Sequence, residues 1–287
     1  MNFGVLSAVL SAFGGATLAL WGKFAPETGL NLPTFLTFRF ALTALALLAF
    51  VPRDIPIKER LQQLAFSAFY VLQTLLYFTA LQQTSAAVTA LLLYLAPAFV
   101  VLYEWLLGVK PTKAQLLGLG ISSLGLIAVI GLPTASDGTP LGFLLAALAG
   151  ASYAVFFVIS GRVFKHANPI ALTAHTSLGS AACFALLGIF TSTLSLPTSG
   201  DAWGVILGAV VFSSILAIPL AFYAVQQLGA TKASLLLTLE PLFVTGLALV
   251  FLSEGLTLSK VIGGALIVTG ALLAQYRAVS STQYKAE

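Results

Sequence analysis

Residues 78–100 read FTALQQTSAAVTALLLYLAPAFV, and residues 222–244 read FYAVQQLGATKASLLLTLEPLFV. They are one segment written twice. Phe78, Gln82-Gln83, Leu91 to Leu93, Pro97 and Phe99-Val100 answer Phe222, Gln226-Gln227, Leu235 to Leu237, Pro241 and Phe243-Val244. With a one-residue shift, Thr112, Gly118 and Gly125 fall on Thr257, Gly263 and Gly270. Upstream, PTFLTFR (33–39) answers PIALTAH (169–175). A repeat on this scale constrains the architecture before any single residue is interpreted.

Hydrophobic residues make up 59% of the 287-residue chain and charged residues only 8%. Soluble domains carry about a quarter charged residues, so nearly all of this chain belongs in a membrane. Apolar stretches run roughly over 3–22, 32–51, 62–81, 86–107, 114–131, 141–161, 169–190, 203–225, 233–252 and 258–276. Each is near the ~20 residues a membrane helix needs, and none alternates as a barrel strand would. The sequence therefore predicts an all-α integral membrane protein with ten transmembrane helices. They form two five-helix repeats, 1–135 and 136–287, the second ending in a short tail. An odd number of spans per repeat turns one copy upside down. Inverted repeats are the mark of alternating-access transporters.

Orientation follows from Lys and Arg. Ten of the 13 basic residues, from Arg53 to Lys285, fall on the side that holds both termini; only Lys23 and Lys260 fall on the other, and Arg39 lies inside a span. With short loops the positive-inside rule places both termini in the cytoplasm. The net charge of +4 is this bias rather than a nucleic-acid footprint. The first span lacks a basic n-region and a small-residue cleavage site, so it reads as a retained span.

No G-x-x-x-x-G-K-[ST] loop, H-E-x-x-H pair or metal-ligand cluster occurs, and the loops are too short for a soluble domain. The expectation is a protein that is not an enzyme and has no cofactor or metal. Its partners are a small-molecule substrate and the bilayer, and it is a monomer. Gly118, Gly204/Gly208 and Gly142/Ala146/Gly150 place small residues where helices can touch.

Ionisable groups inside spans are costly, about 2.5–3.5 kcal/mol each at the bilayer centre on the insertion scale. Arg39 in span 2, His175 in span 7 and Glu240 in span 9 are the three such groups. His175 and Glu240 enter from the same side at similar depth, so they can be neighbours and carry a proton; a static hydrogen bond is the competing reading. Arg39 can meet a substrate carboxylate or make a structural ion pair. Pro97 and Pro241 sit at matching mid-span positions and free the carbonyls of Leu93 and Leu237. Doubled bends of this kind open a cavity near the midplane. Pro219 in span 8 has no counterpart in span 3. Tyr70, Gln73, Tyr77, Tyr94, Tyr153, Phe156 and Tyr223 are the candidate cavity contacts, because a buried Tyr hydroxyl needs a partner or water.

The paired segments LLLYLAPAFVVLYEWLLGVKPT (91–112) and LLLTLEPLFVTGLALVFLSEGLT (235–257) resemble the EamA-type transporters of the drug/metabolite transporter superfamily. Pro97, Pro241 and Glu254 match the family pattern, whereas Val109-Lys110 stands where Gly-Glu is common. The resemblance implies a secondary transporter of a bacterial inner membrane. Within the superfamily, exporters of aromatic and other amino acids (YddG-like) are nearest in kind, and drug or quaternary-ammonium exporters are the alternative. An intramembrane enzyme or a lipid-handling protein is the reading outside transport.

Overall fold

The computed structural model describes residues 3–132, 134, 137–251 and 257–275. Among them every extended element is a helix. Span 1 is α1 (Phe3–Glu27), span 2 is α2 (Leu32–Leu48) and span 3 is α3 (Ile57–Leu81). Span 4 is divided into α4 (Ala86–Leu93) and α5 (Ala96–Leu106), and span 5 is α6 (Lys113–Ile130). The second half runs through α7 (Pro140–Arg162) and α8 (Pro169–Phe190) to a composite eighth span. That span joins α9 (Gly200–Gly208), a π-helix (Ala209–Leu216) and α10 (Ala217–Leu228). Span 9 is divided into α11 (Ala230–Leu237) and α12 (Glu240–Phe251), and span 10 is α13 (Leu258–Gln275). Nine of these spans are long and apolar enough to cross a membrane. The tenth, α2, has 17 residues, about 25 Å of helix and the low end of what spans a bilayer. The tail after Gln275 and the family-pattern Glu254 lie outside the described residues.

Local sequence sets the helix starts. Asn31 caps α2 through the Thr34 N–H, with Pro33 in the first turn. Its counterpart Asn168 caps α8 through the N–H groups of Ile170 and Ala171, with Pro169 in the first turn. The side-chain oxygen satisfies an orphan donor and the proline needs none there. The same device thus opens the second helix of each half.

Packing follows the repeat. α6 lies along α13 and α2 along α8, each helix against its own mate; α1 packs on α10 as α7 packs on α3, with mates exchanged. The α6–α13 seam gives the sense of the pairing. A Cβ on Gly118 would stand 2.5 Å from the Gly270 carbonyl oxygen, and one on Gly125 2.6 Å from that of Gly263. Numbers rise on one helix as they fall on the other, so the two run antiparallel. Gly118 matches Gly263 and Gly125 matches Gly270, so the two contacts are one contact seen from each side. The halves are therefore inverted copies.

The prolines break both fourth helices of the repeats in the same way. Leu95 N–H donates to Leu92 at 3.3 Å and Ala98 N–H to Leu95 at 2.8 Å; Leu239 donates to Leu236 at 3.1 Å and Leu242 to Leu239 at 3.0 Å. Each break is a tight turn directly after Leu93 or Leu237. These are the carbonyls that lose their donors to Pro97 and Pro241. Pro219 acts differently. Its ring would clash with the carbonyl four residues back, and the widened π-turn just before it relieves that clash.

Candidate functional site

Glu240 is the first residue of α12, placed by the Pro241 break. Its carboxylate faces α1 at Gly15, where a Cβ would come within 3.2 Å of Oε2. The missing side chain lets span 1 approach the carboxylate. The hydroxyl of Tyr94, at the matching break in span 4, interacts with Glu240. Tyr77 on α3 and Tyr153 on α7 lie within its electrostatic reach. One acid from the second half is thus ringed by tyrosines from both halves. All four side chains are half-buried.

An aromatic core stands beside this ring. Phe156 is stacked on Phe66 at 4.5 Å and lies 5.5 Å from Phe222. It is buried and stacks beside the ring, 6.3 Å from Tyr153. Tyr70 lies edge-on to Phe156 and to Phe40, at 5.6 and 5.4 Å, bridging this core to α2. Gln73 is buried on α3 next to Thr74, whose hydroxyl donates to Gln73 Oε1 at 3.5 Å. Tyr223 stands apart: α10 directs Phe222 to the core, and Tyr223 meets Phe3 edge-on at 5.2 Å.

His175 does not pair with Glu240. Its Nδ1 lies 2.6 Å from Gln63 Oε1, and Gln63 Nε2 donates to Glu59 Oε1 at 2.9 Å. Because the Gln63 amide nitrogen serves Glu59, its oxygen accepts, and His175 carries its proton on Nδ1. Both residues are buried, near the start of α3. Helix α8 turns His175 toward span 3, a direction that depth along the sequence does not specify.

Arg39 is 2% exposed. Its Nε donates to Ser214 Oγ at 2.8 Å and its Nη2 to the Ser213 carbonyl at 3.1 Å. Both acceptors lie in the π-helix, where the ladder is widened, so Arg39 ties span 2 to the irregular turn of span 8. The Ser213 hydroxyl is 3.4 Å from that of Thr17. No carboxylate among the described residues forms an ion pair with Arg39; its acceptors are the neutral Ser214 hydroxyl and Ser213 carbonyl. The electrostatic influence of Arg39 extends to Tyr153.

Gly15, Gln63, Ser213 and Ser214 carry much of this geometry and were not singled out by sequence. Gly14 and Thr17 share the face of α1 that meets span 8: a Cβ on Gly14 would stand 2.6 Å from the Phe212 carbonyl oxygen, and Thr17 Oγ1 lies 3.4 Å from Ser213 Oγ. Two grooves lie outside the tyrosine ring. One of about 260 Å³ is lined by Tyr103, Leu106, Leu107, Val155 and Val158. The other, about 230 Å³, lies between α1 and α12 and includes Lys23 and Lys260. Among the described residues no group of three or more His, Cys, Asp or Glu side chains could hold a metal ion.

The model of the EamA-like transporter family matches residues 2–131 and 140–276. An uncharacterized transporter of Archaeoglobus fulgidus is 32% identical, over 96% of this chain and 97% of its own length. The uncharacterized transporter YyaM of Bacillus subtilis is 26% identical, over 96% of this chain and 93% of its own. A solved crystal structure superposes with a TM-score of 0.76 at 23% identity, covering 95% of this chain and 96% of that one. At that identity the likeness speaks for the fold alone.

Proposed function

Because the chain belongs to the EamA-like transporter family, we propose that it is a secondary transporter exporting amino acids, aromatic and other neutral ones, or similar small metabolites by alternating access. The observation that carries this reading is the ring around Glu240. A carboxylate from one half faces the phenols of the other at the level where both halves are broken by proline. That is where an inverted-repeat transporter binds its cargo. Phenol rings give an apolar surface with polar tips, which suits an amphiphilic metabolite. Glu240 meets the cargo ammonium or carries a proton. Arg39, buried with only neutral acceptors, is the counterpart for a cargo carboxylate, since a guanidinium fork matches that group. His175, on its relay to Glu59, is a second proton site. The Pro97 and Pro241 turns, with the π-turn before Pro219, serve as the bending points.

In the same reading the units are residues 1–135 and 136–287, the chain acts as a monomer in a bacterial inner membrane, and both termini are cytoplasmic. A drug or quaternary-ammonium exporter is the second reading, favoured by the one observation that an acid and aromatic rings meet at the site, as a bound cation requires. Proteoliposomes loaded with a panel of radiolabelled amino acids, and separately with a quaternary ammonium, distinguish the two. Export of neutral amino acids is expected; export of the cation alone would replace this reading with the second.

A further inference from the structure

The proline breaks divide spans 4 and 9 into halves that pack unequally. Gly4, near the start of α1, meets Gln227 and Leu228 at the close of α10. α11 therefore begins at the end of the bundle where α1 begins, and α5 finishes there. At that end α11 packs on α5, and six of the eight residues of α11 are buried. At the opposite end the corresponding halves are α4 and α12. They make no comparable contact among the described residues, and α12 buries only Pro241 and Ala248. Across the α5–α11 contact the Thr231 hydroxyl donates to Glu104 Oε2. Among the described residues this is the one side-chain partner of the Glu104 carboxylate.

The repeat shows what this bond adds. In the register of the paired segments Glu104 matches Ala248 and Thr231 matches Ala87. When the halves of an inverted repeat exchange conformations, contacts at one end part and their mates at the other end form. The mate of the Glu104–Thr231 contact brings Ala248 toward Ala87, and alanine has neither a side-chain donor nor an acceptor. The two closures are therefore alike in backbone and unlike in chemistry. One carries a hydrogen bond to a carboxylate, the stronger kind, and the other carries none. Behind the bond the contact is apolar: Val100 of α5 and Ala233 and Leu236 of α11 belong to one buried cluster. Resting on the alternating-access reading above, we infer that Glu104 and Thr231 latch α5 to α11. The latch shuts the cargo path at the end where α1 begins. Because only this closure gains the bond, it also biases the empty protein toward the state that is shut there.

Val100 gives a site for a reporter. It lies one turn deeper than Glu104 on the same face of α5 and is 0% exposed. In a Cys183→Ser background, Val100→Cys is reconstituted and its rate of modification by a water-soluble maleimide is measured. Labelling is expected to be slow while the latch is intact. Thr231→Val removes the donor and should raise the rate roughly tenfold, the worth of one hydrogen bond to a charged group. Glu104→Ala, which supplies the residue of its mate, should do the same, and Thr231→Ser, which keeps the hydroxyl, should not. Thr231→Val is nearly isosteric and carries the test should Glu104→Ala fail to fold. Ala44→Cys, buried in α2 toward the same end, should label equally slowly in every background. A Val100→Cys rate that ignores Thr231→Val, or that rises as much in Thr231→Ser, overturns the inference. An equal rise at Ala44→Cys also overturns it, because the bundle would then be loosened rather than opened. No cargo enters this measurement. A latch-dependent rate in a protein that exports no amino acid supports the latch and rejects the cargo assignment, so the two fail separately.

Discussion

Gly118 and the carbonyl of Gly270 are close enough that no side chain fits between them: a Cβ on Gly118 would stand 2.5 Å from that oxygen. The contact recurs between Gly125 and Gly263 at 2.6 Å. Each glycine supports the seam on which the two halves meet. Gly118→Val and Gly125→Val each force backbone to move, so each is expected to destabilise by about 1–3 kcal/mol or more. Gly120→Val lies on the same helix, where a Cβ meets nothing within 4 Å, and should be nearly neutral. Thermal unfolding of the three variants in detergent checks the order; equal losses would mean that the seam is not closely packed.

The Arg39–Ser214 bond gives a second test. Ser214→Ala leaves the guanidinium without one acceptor in a site that is 2% exposed. Arg39→Lys keeps the charge and loses the fork. Each is expected to cost about 1–3 kcal/mol. The double variant should cost less than the sum, because both remove the same bond. Additive losses in unfolding experiments would show that the bond contributes little.

On the loop before α7, Asp137 Oδ2 accepts from the Thr134 N–H at 2.7 Å and from its hydroxyl, and Oδ1 accepts from Ser85 at 3.4 Å. The Thr134 hydroxyl, then the Thr134 N–H, hold the Asp137 carboxyl below the usual carboxylate range. A depressed value in the folded state contributes stability that is present above the ordinary value of about 3.9. That stability is lost as pH falls through the lower folded value. Protection of the amides around Ser85 and Gln83, relative to the intrinsic exchange rate at each pH, should therefore fall below about pH 4, and Asp137→Asn should flatten that dependence. An unchanged pH profile in Asp137→Asn would remove Asp137 as its source.

Gln63→Leu strands the Nδ1–H of His175 in the bundle, because no other acceptor contacts that atom among the described residues. A loss of about 1–3 kcal/mol is expected for the unsatisfied donor, and Gln63→Glu should recover part of it. Wild-type stability in Gln63→Leu would show that water or another group serves His175.

The sequence shows the fold because periodicity and repetition do not depend on partners. The 78–100 and 222–244 segments, the odd span count and the matched prolines all point to the antiparallel α6–α13 seam and the breaks after Leu93 and Leu237. The site is less legible. Tyr94 and Glu240 lie at matched breaks and were foreseeable, and their meeting follows from the inversion. His175 was misdirected because depth along a helix says nothing of azimuth, and Gln63 lies on a different helix. The π-turn holding Ser213 and Ser214 was not legible either. Pro219 signals an irregularity, but which carbonyl receives Arg39 depends on how α2 packs there. The packing of Phe156 on Phe66 and Phe222 depends on how α3, α7 and α10 meet, which the sequence of α7 does not specify.

Transport by Glu240→Gln in proteoliposomes, with and without an imposed pH gradient, tests the central claim most directly. The substitution keeps shape and hydrogen bonding while removing the charge. If Glu240 meets the cargo or its coupling proton, export of radiolabelled neutral amino acids should fall at least about tenfold, the cost of roughly 1.4 kcal/mol of lost interaction. What remains should no longer vary with pH across the near-neutral range. Wild-type rates with wild-type pH dependence in a folded Glu240→Gln protein would contradict it and place the carboxylate among the groups that only pack.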